Sequence, residues 1–250
     1  IGGIHGNFAM VGAFEKGKAD VKFTARSNGG HASTPVKGTP IARLSAFVNE
    51  VETHSPFRKK MLPEVSAMFT ALAPLWLFGP LLKAVMPSLS AQAGAMLKTT
   101  IAFTVQKGSD AYNVLPQEAY VGANMRFIPH QGEKESLEII KKVADKYGLE
   151  TEVLHANDYT PPVDIHGEAF HLVEQTIADT FPGLPSSPYV MTGATDAQFY
   201  QPICKSCIRF APVIYGPEQM KGMHGLNENI EYNCLPGAVR FYKNLIRAEK

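Results

Sequence analysis

Hydrophobic and polar residues alternate in two stretches of the chain, and this alternation predicts two strands. In residues 19–26 one face carries Val21, Phe23 and Ala25. In residues 117–128 the apolar face is formed by a second such set: Val121, Ala123, Met125 and Phe127. Further strands are predicted, from β-branched and apolar runs, over residues 98–105, 149–154, 189–191 and 207–212.

Apolar residues spaced three and four positions apart predict the helices. The first helix spans residues 40–53, with Thr39 as its N-cap and Pro40 at its first position. The same spacing predicts helices over residues 133–147, through Phe170 to Phe181, and over 236–247. Residues 1–18 are rich in glycine and are expected to be irregular.

The order of these elements predicts a mixed α+β and α/β fold. Residues 19–155 follow the order β-α-β-β-α-β, which is typical of a ferredoxin-like unit with four antiparallel strands and two helices on one face. We therefore expect a domain over residues 19–158 with a helical insertion at 56–97. Residues 1–18 and 159–250 are expected to form part of a three-layer αβα domain, since they supply too few strands for a complete sheet.

Composition excludes some classes of function. The formal net charge of +1, without a basic run, argues against nucleic acid as a partner. Residues 65–82 carry no charge, but Pro74, Gly79 and Pro80 interrupt them, so we do not expect a membrane span. Short helices or an apolar wall beside a substrate pocket fit this segment better.

The cysteines form no disulfide framework. Cys204 and Cys207 are a lone Cys-x-x-Cys pair, and the third cysteine is Cys234. A zinc ribbon needs a second pair, so a buried thiol at Cys207 is the better interpretation. No secretory signal is visible in the sequence, but a segment before Ile1 could carry one, so the compartment is left unknown, with the cytoplasm as the default guess.

Two histidines stand beside glycines and are candidates for chemistry. His31 follows Gly29-Gly30 on a loop that can bring its imidazole close to a ligand, although an exposed loop histidine is the alternative. His224 precedes Gly225 and can present a nitrogen to a metal, with Asn227 and Glu228 near enough to support it. Local packing is the alternative for His224. Arg126 is either an exposed surface charge or a bidentate hydrogen-bonding partner for a carboxylate.

Five motifs taken together resemble a known family. They are Gly30-His31-Ala32-Ser33-Thr34-Pro35, Asn113-Val114-Leu115-Pro116, Arg126, Gly193-Ala194-Thr195-Asp196 and His224-Gly225-Leu226-Asn227-Glu228. In this order they resemble the co-catalytic zinc metallopeptidases that include aminoacylase-1, carnosinase, acetylornithine deacetylase and carboxypeptidase S. The long segment before Lys98-Thr99-Thr100 and the sequence from Asn113 to Pro116 are most similar to the carboxypeptidase S branch.

The resemblance implies a metallopeptidase or amidohydrolase acting on small peptides or N-acyl amino acids, and a homodimer formed by the ferredoxin-like lid. It implies that His31 is catalytic and stabilises an oxyanion in the partner's site, and that His224 is a zinc ligand with Asn227 and Glu228 behind it. It also implies a set of substrate contacts: Asn113, Arg126, Gly193, Ala194 and Thr195.

The family's other metal ligands are expected before Ile1. The resemblance therefore implies two zinc ions in a longer parent enzyme, and an isolated chain that is inactive and does not hold zinc tightly. The alternative is a dimerisation or binding module without catalysis. An upstream His-x-Asp and Glu-Glu pair would distinguish the enzyme from the module.

Overall fold

The computed structural model describes residues 7–72, 91–223 and 225–249. The strands are β1 (Ala9–Glu15), β2 (Lys18–Arg26), β3 (Gly30–His31), β4 (Thr100–Lys107), β5 (Val114–Leu115), β6 (Glu118–Arg126), β7 (Glu150–Asn157) and β8 (Ser186–Met191). The helices are α1 (Pro40–Thr53), α2 (Pro63–Leu72), α3 (Ala91–Ala95), α4 (Glu133–Asp145), α5 (Glu168–Thr180), α6 (Ala197–Tyr200), α7 (Pro217–Gly222) and α8 (Leu235–Ala248), the last preceded by a 3-10 turn at Tyr232–Cys234.

Four strands form an antiparallel sheet in the order β4-β6-β2-β7. The predicted alternation is confirmed, because Val21 lies opposite Ala123 in the register and both are buried. Helices α1 and α4 pack on this sheet, and their apolar side chains share one cluster with it. This cluster, called here the sheet cluster, contains the rings of Phe23 and Phe47, which are tilted by 52° with centroids 4.7 Å apart.

The first helix begins and ends where the sequence predicts. Thr39 Oγ1 accepts a hydrogen bond from the Ala42 amide at 3.3 Å, and Pro40 stands in the first turn. The helix α4 ends at Asp145, two residues earlier than predicted, and Gly148 follows with a φ of 60°. The strand β7 is longer than the predicted 149–154, since it continues to Asn157.

The expectation of an irregular segment at 1–18 is wrong. Within it, β1 pairs in parallel with β8, and Ala9 lies opposite Ser186. Nearly every residue of β1 is buried, on both faces of the strand. A strand covered on both sides carries no alternation, so the pattern used to predict strands could not find it.

The predicted strand at 207–212 is also wrong. This segment contributes a single β-bridge, in which Arg209 pairs with Gly12. The Arg209 side chain turns into the interior and pairs with Glu15, and the described backbone on either side of this bridge forms no regular ladder with β1. A Cβ on Gly12 would approach Arg209 Cβ to 2.9 Å, so glycine permits the close contact there.

The helical insertion belongs with β1 and β8 in its packing. Buried side chains of α2 and of residues 93–97 share one cluster, called here the strand-pair cluster, with β1, β8, α5 and α8. Much of the apolar segment 65–82 lies outside the described residues, and in the described ranges no helix is long and apolar enough to cross a membrane.

Candidate functional site

The loop that carries His31 is held by a small ladder. Strand β3 pairs with β5, placing Gly30 opposite Leu115 and His31 opposite Val114. Gly29 has a φ of 70°, and a Cβ there would lie 2.8 Å from Gln117 Cγ. This turn therefore requires glycine on both conformational and steric grounds.

The imidazole of His31 is exposed and its tautomer follows from its neighbours. The Ser33 amide donates to His31 Nδ1 at 3.2 Å, and Ser33 Oγ lies 2.7 Å from the same nitrogen. Because a backbone amide can only donate, Nδ1 is the acceptor of the neutral ring and Nε2 carries the proton. The ring thus presents an N–H donor that no other described residue engages.

The structure brings Asn113 to His31. The Asn113 carbonyl oxygen accepts a hydrogen bond from the Ala32 amide at 2.9 Å, directly beside the β3–β5 pair. Two motifs that the sequence analysis treated separately therefore form one structure. Beside them lies a shallow cleft of about 290 Å³, lined by Gly29, Gly30, Gly108, Ser109, Asp110, Val114, Leu115, Pro116, Gln117 and Glu118.

Arg126 lies at the opposite end of the sheet. It is the last residue of the nine-residue strand β6, whose first residue, Glu118, lies at the end nearer β5, so about 25 Å of strand separates the two ends. Arg126 Nε donates to Asn124 Oδ1 at 2.9 Å, and Asn124 Nδ2 donates to Asp20 Oδ1 at 2.7 Å. Asn124 thus fixes the guanidinium plane of Arg126, as the prediction of a bidentate partner for a carboxylate requires.

Next to Arg126 is a buried lysine that the sequence analysis missed. Lys16 is 3% exposed and donates from Nζ to the carbonyl oxygens of Ala95 and Lys98, both at 2.9 Å. Burial, and then the positive charges of Arg126 and Lys98, lower the pKa of Lys16 to about 7. A single lysine between two strands gives no pattern in the sequence that would single it out.

Thr195 belongs to the same end of the molecule. Its hydroxyl donates to Glu15 Oε1, and that carboxylate pairs with Arg209 Nε at 3.1 Å. Arg209 Nη2 donates to Thr160 Oγ1 at 3.0 Å, and that hydroxyl oxygen also accepts from the Glu15 amide. The pair is deeply buried, and its hydrogen bonds join β1 to the loop that contains Thr195.

The neighbours of Thr195 lie less deep. Ala194 lines a cavity of about 230 Å³ together with Glu15 and Lys16. Gly193 is exposed, and a Cβ there would meet nothing within 4 Å. The predicted contacts at 193–195 therefore lie at the Arg126 end of the sheet and apart from His31.

The predicted metal segment is described only around its histidine, because His224 lies outside the described residues. Asn227 has a φ of 61°, and both Asn227 and Glu228 are exposed. Among residues 7–72, 91–223 and 225–249, no group of three or more His, Cys, Asp or Glu side chains could hold a metal ion.

The predicted buried thiol at Cys207 is confirmed. Its Sγ donates to the Cys204 carbonyl oxygen at 3.3 Å, and burial raises the pKa of the Cys207 thiol. Cys204 is exposed, and both cysteines are free.

Comparison with known proteins identifies what this chain is similar to. Residues 15–152 match the family described as the peptidase dimerisation domain. The chain is 33% identical, over 99% of its length and 51% of the relative's, to the N-fatty-acyl-amino acid synthase/hydrolase PM20D1 of Xenopus tropicalis. It is 26% identical, over 98% of its length and 49% of the relative's, to a probable carboxypeptidase S-like protein of Dictyostelium discoideum.

Solved structures share the fold at low sequence identity. An M20 family metallo-carboxypeptidase from Sulfolobus solfataricus superposes with a TM-score of 0.66 at 15% identity, covering 96% of this chain and 60% of that one. Human carnosine dipeptidase 1 superposes with a TM-score of 0.64 at 12% identity, covering 97% of this chain and 57% of the other. The chain spans about half the length of the curated relatives it matches.

Proposed function

The chain belongs to the M20 peptidase family, through its peptidase dimerisation domain, and on this premise we propose that it is the C-terminal half of a zinc-dependent amidohydrolase. The proposed reaction is hydrolysis of the amide bond of an N-acyl amino acid or a small peptide. The observation that carries the proposal is the β3–β5 ladder, which holds His31 beside Asn113 with its Nε2–H unengaged.

In this proposal residues 19–158 are a ferredoxin-like lid and dimerisation domain. The strand order β4-β6-β2-β7, with α1 and α4 packed on the sheet, supports that topology. Residues 1–18 and 159–250 are then parts of a three-layer catalytic domain, for which β1 and β8 supply two parallel strands. Described residues of the insertion at 56–97 belong to both clusters, since Phe57 lies in the sheet cluster and Leu62 in the strand-pair cluster.

His31 is proposed to donate its Nε2–H to the oxyanion that forms when water attacks the amide carbonyl. Such a donor stabilises the developing charge more than the neutral carbonyl, so its contribution falls on the transition state. Ser33 keeps Nδ1 in the acceptor role, and Asn113 contacts the substrate from the same ladder.

Arg126 is proposed to pair with the terminal carboxylate of the substrate, over a pocket floor formed by Gly193, Ala194 and Thr195. Arg126 ends strand β6, whereas His31 lies in the β3–β5 ladder near the other end of that strand, so one chain cannot bring both to the same small substrate. A homodimer resolves this, because His31 of one copy then completes the site that contains Arg126 of the other.

Zinc is part of the proposal, with His224 as a ligand and Asn227 and Glu228 as its supporting residues. Bound zinc supplies a Lewis acid for the amide carbonyl and lowers the pKa of a bound water. The described residues do not themselves form a metal site. The remaining ligands are therefore proposed to come from the part of the relatives' length that this chain does not span.

The proposed substrate class draws on the names of the relatives and on Arg126. The relatives are named for N-fatty-acyl amino acids and for carboxypeptidase activity, and both kinds of substrate present a free carboxylate to Arg126.

A mixing experiment tests the shared site. His31→Ala and His224→Ala are made separately in the parent enzyme, meaning this chain together with the segment before Ile1, and each homodimer is expected to be inactive. Mixed dimers should regain part of the activity, since one of their two sites then has an intact metal ligand and an intact visiting histidine. Inactive mixtures with proven heterodimers would contradict the role of His31, and a parent protein that dimerises but hydrolyses neither substrate class would favour the non-catalytic module.

A further inference from the structure

Three cations converge where the lid sheet meets β1. Lys16 Nζ lies 2.9 Å from the Lys98 carbonyl oxygen and 3.4 Å from Thr100 Oγ1. Thr100 is paired with Arg126 across β4 and β6, and paired residues of antiparallel strands project to the same face. Lys16, Lys98 and Arg126 are therefore neighbours, and Lys59 lies close enough to Lys98 to act on its charge.

No Asp or Glu carboxylate of the chain neutralises this group. All Asp and Glu residues of the sequence lie within the described ranges, and none of them forms an ion pair with Lys16, Lys59, Lys98 or Arg126. Asp20 is the carboxylate nearest in the hydrogen-bond chain, but it binds Lys18 and Asn124.

The positive charges of this group disfavour one another. Burial lowers the pKa of Lys98, and the positive charge of Lys59 lowers it further. Arg126 and Lys98 act on the pKa of Lys16 in the same direction. Like charges that destabilise one another in a half-buried place are stabilised when an anion lies between them.

Hydrogen-bond donors of this group remain without partners among the described residues. Arg126 uses Nε on Asn124, and its two Nη groups make no hydrogen bond to any described residue. Lys98 is half-buried, and Lys59 is exposed beside it. One substrate carboxylate at Arg126 satisfies the guanidinium fork and leaves the two lysines without a counter-charge.

We propose that Lys98, supported by Lys59, binds a second anionic group of the substrate, next to the carboxylate held by Arg126. The preferred substrates are then N-acyl amino acids or peptides whose terminal residue is Asp or Glu. Lys16 is buried behind the site, while Lys98 is the residue that determines this specificity. The inference rests on the proposed function, and specifically on the role of Arg126.

A comparison of two nearly isosteric substrates tests the inference. In the parent enzyme, kcat/KM for an N-acylglutamate is expected to exceed that for the matched N-acylglutamine about threefold to fivefold, the range of a partly exposed ion pair. Lys98→Met should bring the ratio close to one by raising KM for the glutamate compound alone. Lys98→Arg should restore the ratio, because it keeps the charge.

Matched variants separate this effect from general losses. Arg126→Met should lower kcat/KM for both substrates alike, since both carry the terminal carboxylate. Lys141→Met removes an exposed charge from α4 and should leave the ratio unchanged. A ratio near one in the wild type, or one that Lys98→Met does not alter, would overturn the inference.

If the parent enzyme hydrolyses neither compound, the proposed function fails independently of the specificity. The same ratio is then read from dissociation constants of the two compounds, measured by isothermal titration with wild type and Lys98→Met. Equal affinities in the wild type would overturn the proposed anion site as well.

Discussion

At the scale of single residues, Lys16 gives the structure a measurable pH dependence. Its folded-state pKa of about 7 lies below the ordinary value of 10.5 because burial and neighbouring cations disfavour its charge. Between these two pH values the unfolded chain binds a proton that the folded chain lacks. The free energy of unfolding should therefore rise as the pH rises from 7 towards 10.5, by about 4 kcal/mol at most.

Lys16→Met removes that contribution. We expect urea unfolding of the variant to show a flatter rise in stability between about pH 7 and pH 9.5 than the wild type. Lys141→Met, an exposed lysine on α4, should keep the wild-type slope. A variant at position 16 with an unchanged slope would show that the buried amine keeps an ordinary affinity for protons.

His31→Ala tests the rate of catalysis rather than the stability of the fold. Because the Nε2–H is proposed to act on the oxyanion, the variant of the parent enzyme should lose about a hundredfold or more in kcat with little change in KM. Its zinc content should be that of the wild type. His166→Ala replaces another exposed histidine and should be kinetically silent. A rise in KM at constant kcat would assign His31 to ground-state binding.

His31, Asn113 and Arg126 could be predicted from the sequence because each belongs to a motif that resembles one of the family's motifs. The sequence could not place Asn113 against His31, since their contact depends on the pairing of two-residue strands far apart in the chain. No pattern in the sequence predicted the buried ion pair of Glu15 and Arg209. A charged residue in an apolar run reads as a surface residue until tertiary packing buries it beside its partner.

At the scale of elements, two glycines form a matched pair for testing the β3–β5 ladder. Gly29 and Gly38 have nearly the same φ, 70° and 72°, but a Cβ at Gly29 would lie 3.2 Å from the Leu115 carbonyl oxygen while Gly38 faces open space. Alanine at either position costs about 1–2 kcal/mol for the left-handed backbone.

Gly29→Ala should cost more than Gly38→Ala in urea unfolding, because it also displaces β5. In the parent enzyme it should lower kcat, while Gly38→Ala should not. Equal losses of stability and activity in the two variants would mean that the ladder tolerates the displacement and does not position His31.

Elements with a local signal were predicted well, and those defined by tertiary contacts were not. The helix α1 has its predicted bounds because Thr39 and Pro40 specify its start without help from the rest of the fold. The strand β1 was missed because both of its faces are covered. Residues 207–212 have the composition of a strand, but they pair with β1 only at Arg209, whose side chain is buried against Glu15.

At the scale of the whole molecule, the proposed shared site requires two copies. The chain at high micromolar concentration should give twice the 27.3 kDa of one chain in light scattering. The mass should fall on dilution to one defined value, since a specific interface dissociates in a single step. A monomer throughout would contradict the dimer, and a broad, concentration-dependent distribution would indicate association through the exposed apolar side chains of residues 199–246.

The packing of the helical insertion has a mechanical consequence. In the described residues the backbone passes between the strand-pair cluster and the sheet cluster at six places, around residues 15–18, 58–61, 98–100, 127–128, 129–136 and 157–164. Two such crossings would leave one axis of rotation free. With six, a rotation of the four-stranded sheet against β1 and β8 must first slide α2 along β8 or bend a strand. The two halves should therefore move as one block, and access to a site between two copies would depend on how the copies shift against each other.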